Sequence, residues 1–359
     1  MQDKWRVAII GATGMVGQRF VEILQQHPWF KISCLLASSR SAGKRYGDII
    51  KNSHIKEDIL NITVEDSADI KNVVKQADLA FCAISLSKEE TRALEEAYAS
   101  AGLPIISNNS ACRLVPDVPM VIPEINADHF NVIKAQQKRL NTKTGFIAVK
   151  PNCSIQSFVP PLTPLLIYGI EQISVCTYQA ISGAGKTFET WPEIIDNVIP
   201  FISGEEEKSQ VEPLKVWGKL SDDGSQIIAS NKPVISAQCL RVPVSDGHMA
   251  AVSVKFSKKP SIEEIKAAWL KPSPIEKLAL PSSPTPYLKY FEEENRPQTK
   301  LDRMLGNGMG IAMGRLRPDP LLDWRFVCLS HNTLRGAAGG AVLCAEYLCK
   351  KGFIQKEVL

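Results

Sequence analysis

The sequence lacks the features that would place the protein in a membrane or outside the cell. Its 359 residues contain no uninterrupted apolar run near the roughly 18 residues that a membrane helix needs. The nine cysteines contain no CxxC pair, and the first six residues lead directly into a strand pattern without the regions of a signal peptide. We therefore expect reduced cysteines and a cytoplasmic protein.

The sequence also lacks a strong excess of either charge. It has 42 Lys and Arg residues against 38 Asp and Glu residues, a net charge of +4. This balance does not indicate a nucleic-acid or membrane partner, and we predict no metal site. The hydrophobic content of 44% and the charged content of 22% are typical of a globular protein, and the length exceeds one ordinary core, so we predict two domains.

The N-terminal segment has the pattern of a dinucleotide-binding unit. Residues 6–10 are apolar, and residues 18–24 are apolar at helical spacing. Glycines between them allow a pyrophosphate to approach the backbone and to lie on the helix N-terminus. Their spacing is GxxGxxG rather than GxGxxG, and tight turns also use glycines. The predicted cofactor residues here are Gly11, Thr13, Gly14, Met15, Val16 and Gly17.

The second strand pattern, residues 31–36, indicates which dinucleotide is bound. NAD enzymes usually carry an acidic residue after this strand for the ribose 2′-hydroxyl. Here Ser38, Ser39 and Arg40 follow it, and no carboxylate is present. Hydroxyls and a guanidinium suit a 2′-phosphate, so we predict NADP, although a basic surface loop is the alternative.

Two further strand patterns, residues 78–84 and 103–107, flank a polar helix predicted over 88–101. The second of them leads into a loop rich in hydrogen-bond donors. Ligands of open α/β sheets bind at the carboxyl ends of the strands. We therefore predict that Asn109 and Arg113 hold an anionic group, whereas an Asx-type turn with an exposed arginine is the alternative.

Cys153 lies between an apolar strand pattern over 145–149 and an apolar stretch that continues to residue 167. The pattern predicts a strand, a sharp turn and a helix start. Helix N-termini lower the pKa of a thiol, and the thiolate is the nucleophile. We therefore consider Cys153 a candidate nucleophile, with a small buried core cysteine as the alternative.

Candidate partners for this thiol follow in the second half of the chain. Residues 239–244 and 248–256 are apolar and are joined through Ser245-Asp246-Gly247, which predicts a hairpin that brings Arg241 near His248. Glu205 and Lys208 share a side of a predicted helix, where charges are usually solvated. Another helix is predicted over 261–269, with Ser261 and Glu264 as its capping box.

Assembled along the chain, these motifs resemble those of aspartate-β-semialdehyde dehydrogenase, in the branch shared by archaeal and fungal enzymes. The similarity covers nearly the whole length. The segments that carry it are GATGMVG at 11–17, SSR at 38–40, SNNSACR at 107–113, PNCSIQ at 151–156, SGAGK at 182–186, EEEK at 205–208, RVPVSDGH at 241–248 and NTLRGAAG at 332–339.

The resemblance implies NADPH-dependent reductive dephosphorylation of L-4-aspartyl phosphate to L-aspartate 4-semialdehyde, a step toward lysine, threonine and methionine. It implies Cys153 as nucleophile, His248 as general acid/base and Gln156 as the residue that orients the thioester. For the substrate it implies Arg241 at the carboxylate, Glu205 at the amino group, and Lys208, Asn109 and Arg113 at the phosphate. Further predicted cofactor residues are Ser182, Gly183, Gly185 and Asn332.

The fold that we predict is α/β. A doubly wound Rossmann-type NADP domain comprises 1–133 and 333–359, and an α+β catalytic and dimerisation domain with a mixed sheet comprises 134–332. The resemblance implies a homodimer or homotetramer. Alternatives are an acyl-CoA reductase such as a malonyl-CoA reductase, an N-acetylglutamyl-phosphate reductase, and an NADP-binding regulator without turnover.

Overall fold

The computed structural model describes residues 4–356, which form two six-stranded sheets and a two-stranded ribbon. The strands are β1 Trp5–Ile10, β2 Phe30–Ala37, β3 Glu65–Asp66, β4 Leu79–Cys82, β5 Pro104–Ser107, β6 Phe146–Val149, β7 Ile170–Gln179, β8 Lys219–Leu220, β9 Ile227–Ile228, β10 Val234–Arg241, β11 His248–Phe256, β12 Leu288–Phe291, β13 Ile311–Pro318 and β14 Trp324–Ser330.

The helices connect and cover these sheets. The α-helices are α1 Met15–Leu24, α2 Tyr46–Ile49, α3 Glu57–Leu60, α4 Ile70–Gln76, α5 Lys88–Ser100, α6 Pro123–Asn126, α7 Ile133–Arg139, α8 Ile155–Leu162, α9 Glu205–Val216, α10 Ile262–Trp269, α11 Thr299–Asp302 and α12 Ala338–Lys350. Short 3-10 helices span Ala127–Val132, Thr163–Tyr168, Ile181–Ala184, Pro192–Ile194 and Glu276–Leu278.

The first sheet has the order β3-β2-β1-β4-β5-β6, and every neighbouring pair is parallel. Apolar side chains cover both of its faces, as the continuous apolar strands of a buried parallel sheet require. The connections run outward in both directions from β1 and β4, so the strand order reverses between them. This is the predicted doubly wound arrangement, and ligands bind at such a reversal.

The first sheet extends beyond the predicted domain boundary at residue 133. Strand β6 pairs in parallel with β5 and is the sixth strand of this sheet, whereas the prediction assigned it to the second domain. Its four residues are all buried, which requires a covered position in the sheet. Helix α12 packs against α1 and shares a core with β1, so the C-terminal segment lies with the first sheet.

The second sheet is mixed, as predicted, and has the order β10-β7-β11-β14-β13-β12. Strands β10 and β7 are parallel, β11 is antiparallel to both β7 and β14, and β13 is antiparallel to β14. One face of the sheet packs on α8. Along β7, buried residues alternate with residues on the opposite face, and of the latter Ser174 and Tyr178 are exposed. The second sheet therefore has one uncovered face.

The predicted hairpin between residues 239–244 and 248–256 is wrong, because β7 lies between β10 and β11. The connection crosses the end of β7, where the backbone N–H of Ile181 donates to Val244 at 2.9 Å. Gly247 has a φ of 101°, which is compatible with its place in this crossing turn. The Asp246-Gly247 pair thus lies in a bend of the connection, and the strands on either side of it do not pair with each other.

Two other local predictions are confirmed. Ser261 caps α10 and forms a capping box with Glu264, and α5 covers nearly the whole of the helix predicted over 88–101. Among residues 4–356, no helix is both long enough and apolar enough to cross a bilayer.

Candidate active site

The loop that carries Cys153 leaves β6 and enters α8, so the predicted strand, turn and helix are confirmed. The side-chain oxygen of Asn152 accepts hydrogen bonds from the backbone N–H of Ser154 at 2.8 Å and from its hydroxyl at 2.7 Å. These bonds form a local turn that presents Cys153 ahead of the helix. All residues of α8 are buried, so the helix that follows this turn is fixed by packing.

Cys153 and His248 meet across the two sheets. The Cys153 Sγ lies 3.4 Å from His248 Nε2. The ring is fully buried at the start of β11, and its Nδ1 accepts a hydrogen bond from the backbone N–H of Ala180 at 3.1 Å. A donor at Nδ1 favours the neutral tautomer that carries its proton on Nε2, facing the sulfur.

The charge states of this pair differ from the sequence-based expectation. Burial, followed by the charge of Glu205, raises the pKa of Cys153 to about 11, and the positive charge of Lys150 opposes this shift only in part. The effect of the helix start is therefore outweighed by desolvation. Burial and the charge of Arg241 lower the pKa of His248 to about 3, so the ring does not titrate near neutrality in the free protein.

Arg241 reaches the site from the end of β10. Its Nη1 donates to the Ala180 carbonyl at 2.6 Å, beside the same residue that orients His248. A Cβ added at Gly183 would lie 2.9 Å from Arg241 Nη1 and 3.0 Å from His248 Nε2. Arg241 and His248 therefore lie close together, as predicted. The connection that crosses the end of β7 brings them together, and not the predicted hairpin.

Glu205 is buried, contrary to the usual solvated place of a charge cluster. Both of its carboxylate oxygens accept from Asn152 Nδ2 at 3.0 Å, and Lys208 Nζ lies 2.8 Å from one of them. Our sequence interpretation assigned no role to Asn152. Its position directly before Cys153 was the available signal.

Gln156 occupies the first turn of α8 and is 2% exposed. Its Nε2 is buried, and no hydrogen-bond partner is found for it within residues 4–356. A buried amide donor without a partner is costly unless a ligand satisfies it. The side chain is therefore available to a bound group beside Cys153.

Two of the three residues predicted to bind phosphate, Arg113 and Asn109, have different surroundings. Arg113 is buried, and its Nη1 donates to Glu212 at 2.9 Å. Asn109 Nδ2 instead donates to the buried carboxylate of Glu95 at 3.1 Å and to Cys82 Sγ at 3.3 Å. The protein already engages Asn109 in these contacts, and its proposed contact with phosphate stays a prediction.

The predicted cofactor residues of the first domain lie at the carboxyl ends of β1 and β2. Gly11 has a φ of 87°, and a Cβ there would lie 2.5 Å from the Ala83 carbonyl oxygen. A Cβ at Gly17 would lie 2.1 Å from the Gly11 oxygen, so these two positions require glycine. Ser38 and Arg40 follow β2 and are exposed at the same edge.

A cavity of about 490 Å³ lies between α1 and the segments that follow β7 and β10. Met15 and Arg19 of α1 line it together with Ser182 and Gly185. Asn332 fixes the position of Ser182 beside this cavity. Its Nδ2 donates to the Ser182 hydroxyl at 2.8 Å, and its Oδ1 accepts from the Gly247 N–H at 2.8 Å. Predicted cofactor residues from distant parts of the chain therefore meet around one cavity.

A doubly wound sheet with a helix N-terminus at its strand reversal, joined to a domain that brings a thiol to an imidazole, places the protein among nicotinamide-dependent oxidoreductases. Residues 6–133 match the family model described as semialdehyde dehydrogenase, NAD binding domain, and residues 160–335 match that of the semialdehyde dehydrogenase dimerisation domain. The chain belongs to the semialdehyde dehydrogenase family, and the predicted resemblance is confirmed.

Relatives in archaea and fungi match over nearly full length. An aspartate-semialdehyde dehydrogenase of Archaeoglobus fulgidus is 43% identical over 98% of this chain and 100% of its own. That of Saccharomyces cerevisiae is 38% identical over 99% and 100%. The crystal structure of aspartate semialdehyde dehydrogenase with NADP from Candida albicans has a TM-score of 0.88 at 36% identity, covering 98% of this chain and 100% of its own.

Proposed function

We propose that this protein catalyses the NADPH-dependent reductive dephosphorylation of L-4-aspartyl phosphate to L-aspartate 4-semialdehyde. The observation that carries the proposal is the 3.4 Å separation of Cys153 Sγ and His248 Nε2. The chain that contains this pair is 43% identical to a relative named aspartate-semialdehyde dehydrogenase. The geometry supplies a nucleophile and a proton donor at one point. The similarity supplies the substrate class.

Covalent catalysis begins when the Cys153 sulfur forms a bond to the acyl carbon and the bond from that carbon to phosphate breaks. The thiol proton passes to the departing phosphate, so the products of this step are a thioester and free, protonated phosphate. The Nε2–H of His248 faces the sulfur, so it can stabilise negative charge that develops there. In the reduction step it gives its proton to the oxygen of the reduced carbon and regains one from the solvent. Collapse of that hemithioacetal breaks the carbon–sulfur bond and releases the aldehyde. Gln156 offers its buried amide to orient the thioester.

The amino-acid end of the substrate carries one cation and one anion, and the site offers a group for each. The Arg241 guanidinium suits the carboxylate because it can bind in a bidentate manner. The buried Glu205 carboxylate suits the amino group. We assign the phosphate to Lys208, Arg113 and, with less support from its contacts, Asn109.

The residues of the cofactor edge fit NADP. Gly11 and Gly17 allow close backbone packing in the turn before α1, and no side chain caps the N-terminus of α1, so that end is suited to a pyrophosphate. No carboxylate follows β2, where Ser38, Ser39 and Arg40 suit a 2′-phosphate. Bound NADPH supplies the hydride that reduces the thioester. On the side of the second domain, Ser182 and Gly185 line the cavity. Asn332 supports Ser182 by a hydrogen bond, and Gly183 lies beside His248, so we propose that all four bound the cofactor site.

The second domain supports assembly of two subunits. Its family model is described as a dimerisation domain, and the uncovered face of the second sheet exposes Tyr178 and Val234. We propose a dimer through this face, with a tetramer as the alternative assembly. All nine cysteines are unpaired, which supports a reducing compartment, and we propose the cytoplasm.

An acyl-CoA reductase would use the same thiol and imidazole. The named relatives do not favour it, and malonyl-CoA has no amino group for the buried carboxylate of Glu205. The same argument applies to N-acetylglutamyl phosphate, whose amine is acetylated. An NADP-binding regulator would not need a thiol held 3.4 Å from an imidazole.

Reduction of NADP with L-aspartate 4-semialdehyde and inorganic phosphate tests the proposal. We expect NADPH absorbance to rise only when both phosphate and NADP are present. The Cys153→Ala variant should lose turnover while it retains NADP binding, because the nucleophile is absent and the cofactor cavity is unchanged. Activity of the Ala variant, or wild-type activity on malonyl-CoA instead of the semialdehyde, would contradict the assignment.

A further inference from the structure

One face of helix α9 contacts two loops of the candidate active site. Residues 205, 209, 212 and 215 are all buried and follow at spacings of four, three and three, so they form a stripe along the helix. At the N-terminal end Glu205 binds Asn152, and Ser209 Oγ lies 3.3 Å from Ser154 Oγ. This half of the stripe therefore contacts the loop of Cys153.

The C-terminal half of the stripe contacts the loop of Arg113. Lys215 Nζ donates to the carbonyls of Arg113 and Val115, each at 2.7 Å, and of Val118 at 2.8 Å. A buried ammonium with three carbonyl partners fixes the backbone of that loop. The stripe thus spans the distance between the thiol loop and the predicted phosphate loop.

Glu212 joins the two halves. One carboxylate oxygen accepts from Arg113 Nη1 at 2.9 Å, and the other accepts from the backbone N–H of Asn152 at 2.6 Å. Glu212 is 3% exposed, so water screens neither contact effectively. A single carboxylate therefore sets the position of the residue before Cys153 relative to the guanidinium of Arg113.

Arg113 retains capacity for a ligand on its other side. Its Nη2 donates to the Asn108 carbonyl at 2.8 Å, while its Nε is buried and finds no acceptor within residues 4–356. Both amide atoms of Asn108 are likewise buried without a partner in that range. The unpaired donors, Arg113 Nε and Asn108 Nδ2, point to an anion that would accept from them.

We propose that Glu212 is a positioning residue that aligns the Arg113 guanidinium with Cys153 and moderates the affinity of this site for phosphate. This rests on the proposed function, in which Arg113 meets the phosphate. The Glu212 carboxylate fixes the two loops relative to each other and neutralises part of the Arg113 guanidinium charge. Phosphate is therefore bound in the right place but released readily after the thioester has formed.

Two substitutions distinguish the effect of Glu212 on alignment from its effect on the charge of the site. Glu212→Gln removes the negative charge, and its single amide oxygen can accept fully from only one of the two donors. Glu212→Asp keeps the charge but is one methylene too short to span both donors. Glu207→Gln is the matched control, because Glu207 is exposed on the same helix and undergoes the same chemical change.

In the phosphate-dependent assay, we expect kcat to fall at least tenfold in both Glu212 variants, because alignment is lost. The KM for phosphate should fall at least tenfold in Glu212→Gln only, since removing one like charge within about 10 Å at an effective dielectric constant of about 20 changes an affinity by more than tenfold. The KM for NADP and all constants of Glu207→Gln should stay at wild-type values. A purely structural role would not lower the KM for phosphate.

A second measurement requires no turnover. Inorganic phosphate should protect Cys153 from alkylation, and the half-protecting concentration should be at least tenfold lower in Glu212→Gln than in wild type. An equal or higher concentration, or no protection in any variant, would overturn the inference. A lowered concentration in a protein that does not reduce NADP would overturn the proposed function and leave the inference standing. If Glu212→Gln does not fold, an unchanged kcat in Glu212→Asp would overturn the inference.

Discussion

Alkylation of Cys153 in the free protein should be slow at neutral pH and should accelerate with pH until about pH 11. Iodoacetamide reacts with the thiolate, and burial together with Glu205 raises the pKa of this thiol to about 11. The neutral ring of His248 does not accept the proton, because its pKa lies at about 3. The free enzyme therefore rests with a neutral thiol.

The size of the effect follows from the fraction of thiolate. At pH 7 a thiol with a pKa of about 11 is ionised to about one part in 10⁴, against about one part in 30 at an ordinary pKa near 8.5. A more basic thiolate is also more nucleophilic, with a Brønsted coefficient of about 0.4–0.5, which recovers roughly tenfold. Cys153 should therefore react roughly 30-fold more slowly at pH 7 than an unperturbed exposed thiol.

The assay is a series of alkylation rates from pH 6 to pH 10.5 with modified peptides identified by mass spectrometry. Peptide identification is needed because Cys176 is also partly exposed. We expect the Cys153 rate to rise about tenfold per pH unit, and Glu205→Gln to shift the profile to lower pH because it removes a charge that raises the pKa. Glu207→Gln should leave it unchanged. A plateau between pH 7 and pH 9 in wild type would refute the reasoning.

Three further predictions concern the cofactor and stability. Arg40→Ala should weaken binding of NADPH far more than of NADH, and equal weakening in fluorescence titrations would exclude a 2′-phosphate contact. The folded pKa of His248 lies at about 3, below the ordinary value, so the unfolded chain binds more protons between about pH 3 and 6.5 and the free energy of unfolding rises with pH there. In urea titrations, His248→Gln should reduce that slope by about 1.4 kcal/mol per pH unit; an unchanged slope would contradict the assignment. Arg335→Ala should cost about 3–5 kcal/mol because it strands the buried Glu124 carboxylate, 2.6 Å from Arg335 Nη1, whereas Arg92→Ala, at an exposed pair, should cost less than about 1 kcal/mol. Equal losses would refute that difference.

Local patterns predicted the elements that depend on neighbouring residues. The glycines before α1, the capping box of α10 and the turn before α8 all follow from short-range sterics and hydrogen bonds. The same patterns failed for the strand pairing around Ser245-Asp246-Gly247. A turn signal specifies a change of direction, but it does not specify which strand occupies the adjacent position in the sheet.

The sequence by itself determined the identity of the chemical groups and the family. A cysteine before a helix, a histidine at a strand start, and a strand followed by Ser38, Ser39 and Arg40 are visible without coordinates. These groups belong to fixed motifs, and motifs depend on residues that are close in the chain. The nucleophile, the cofactor and the substrate class could therefore be predicted before the fold was known.

Only the tertiary structure decided the electrostatics and the supporting contacts. Burial raises the pKa of Cys153, for which the sequence predicted a lowered value, and lowers that of His248 to about 3, because desolvation depends on atoms supplied by distant segments. Glu212 carried no signal in the sequence, since it lies 60 residues from Asn152 and 99 residues from Arg113. Packing of α9 brings these residues together, and the alignment of the site follows from that packing.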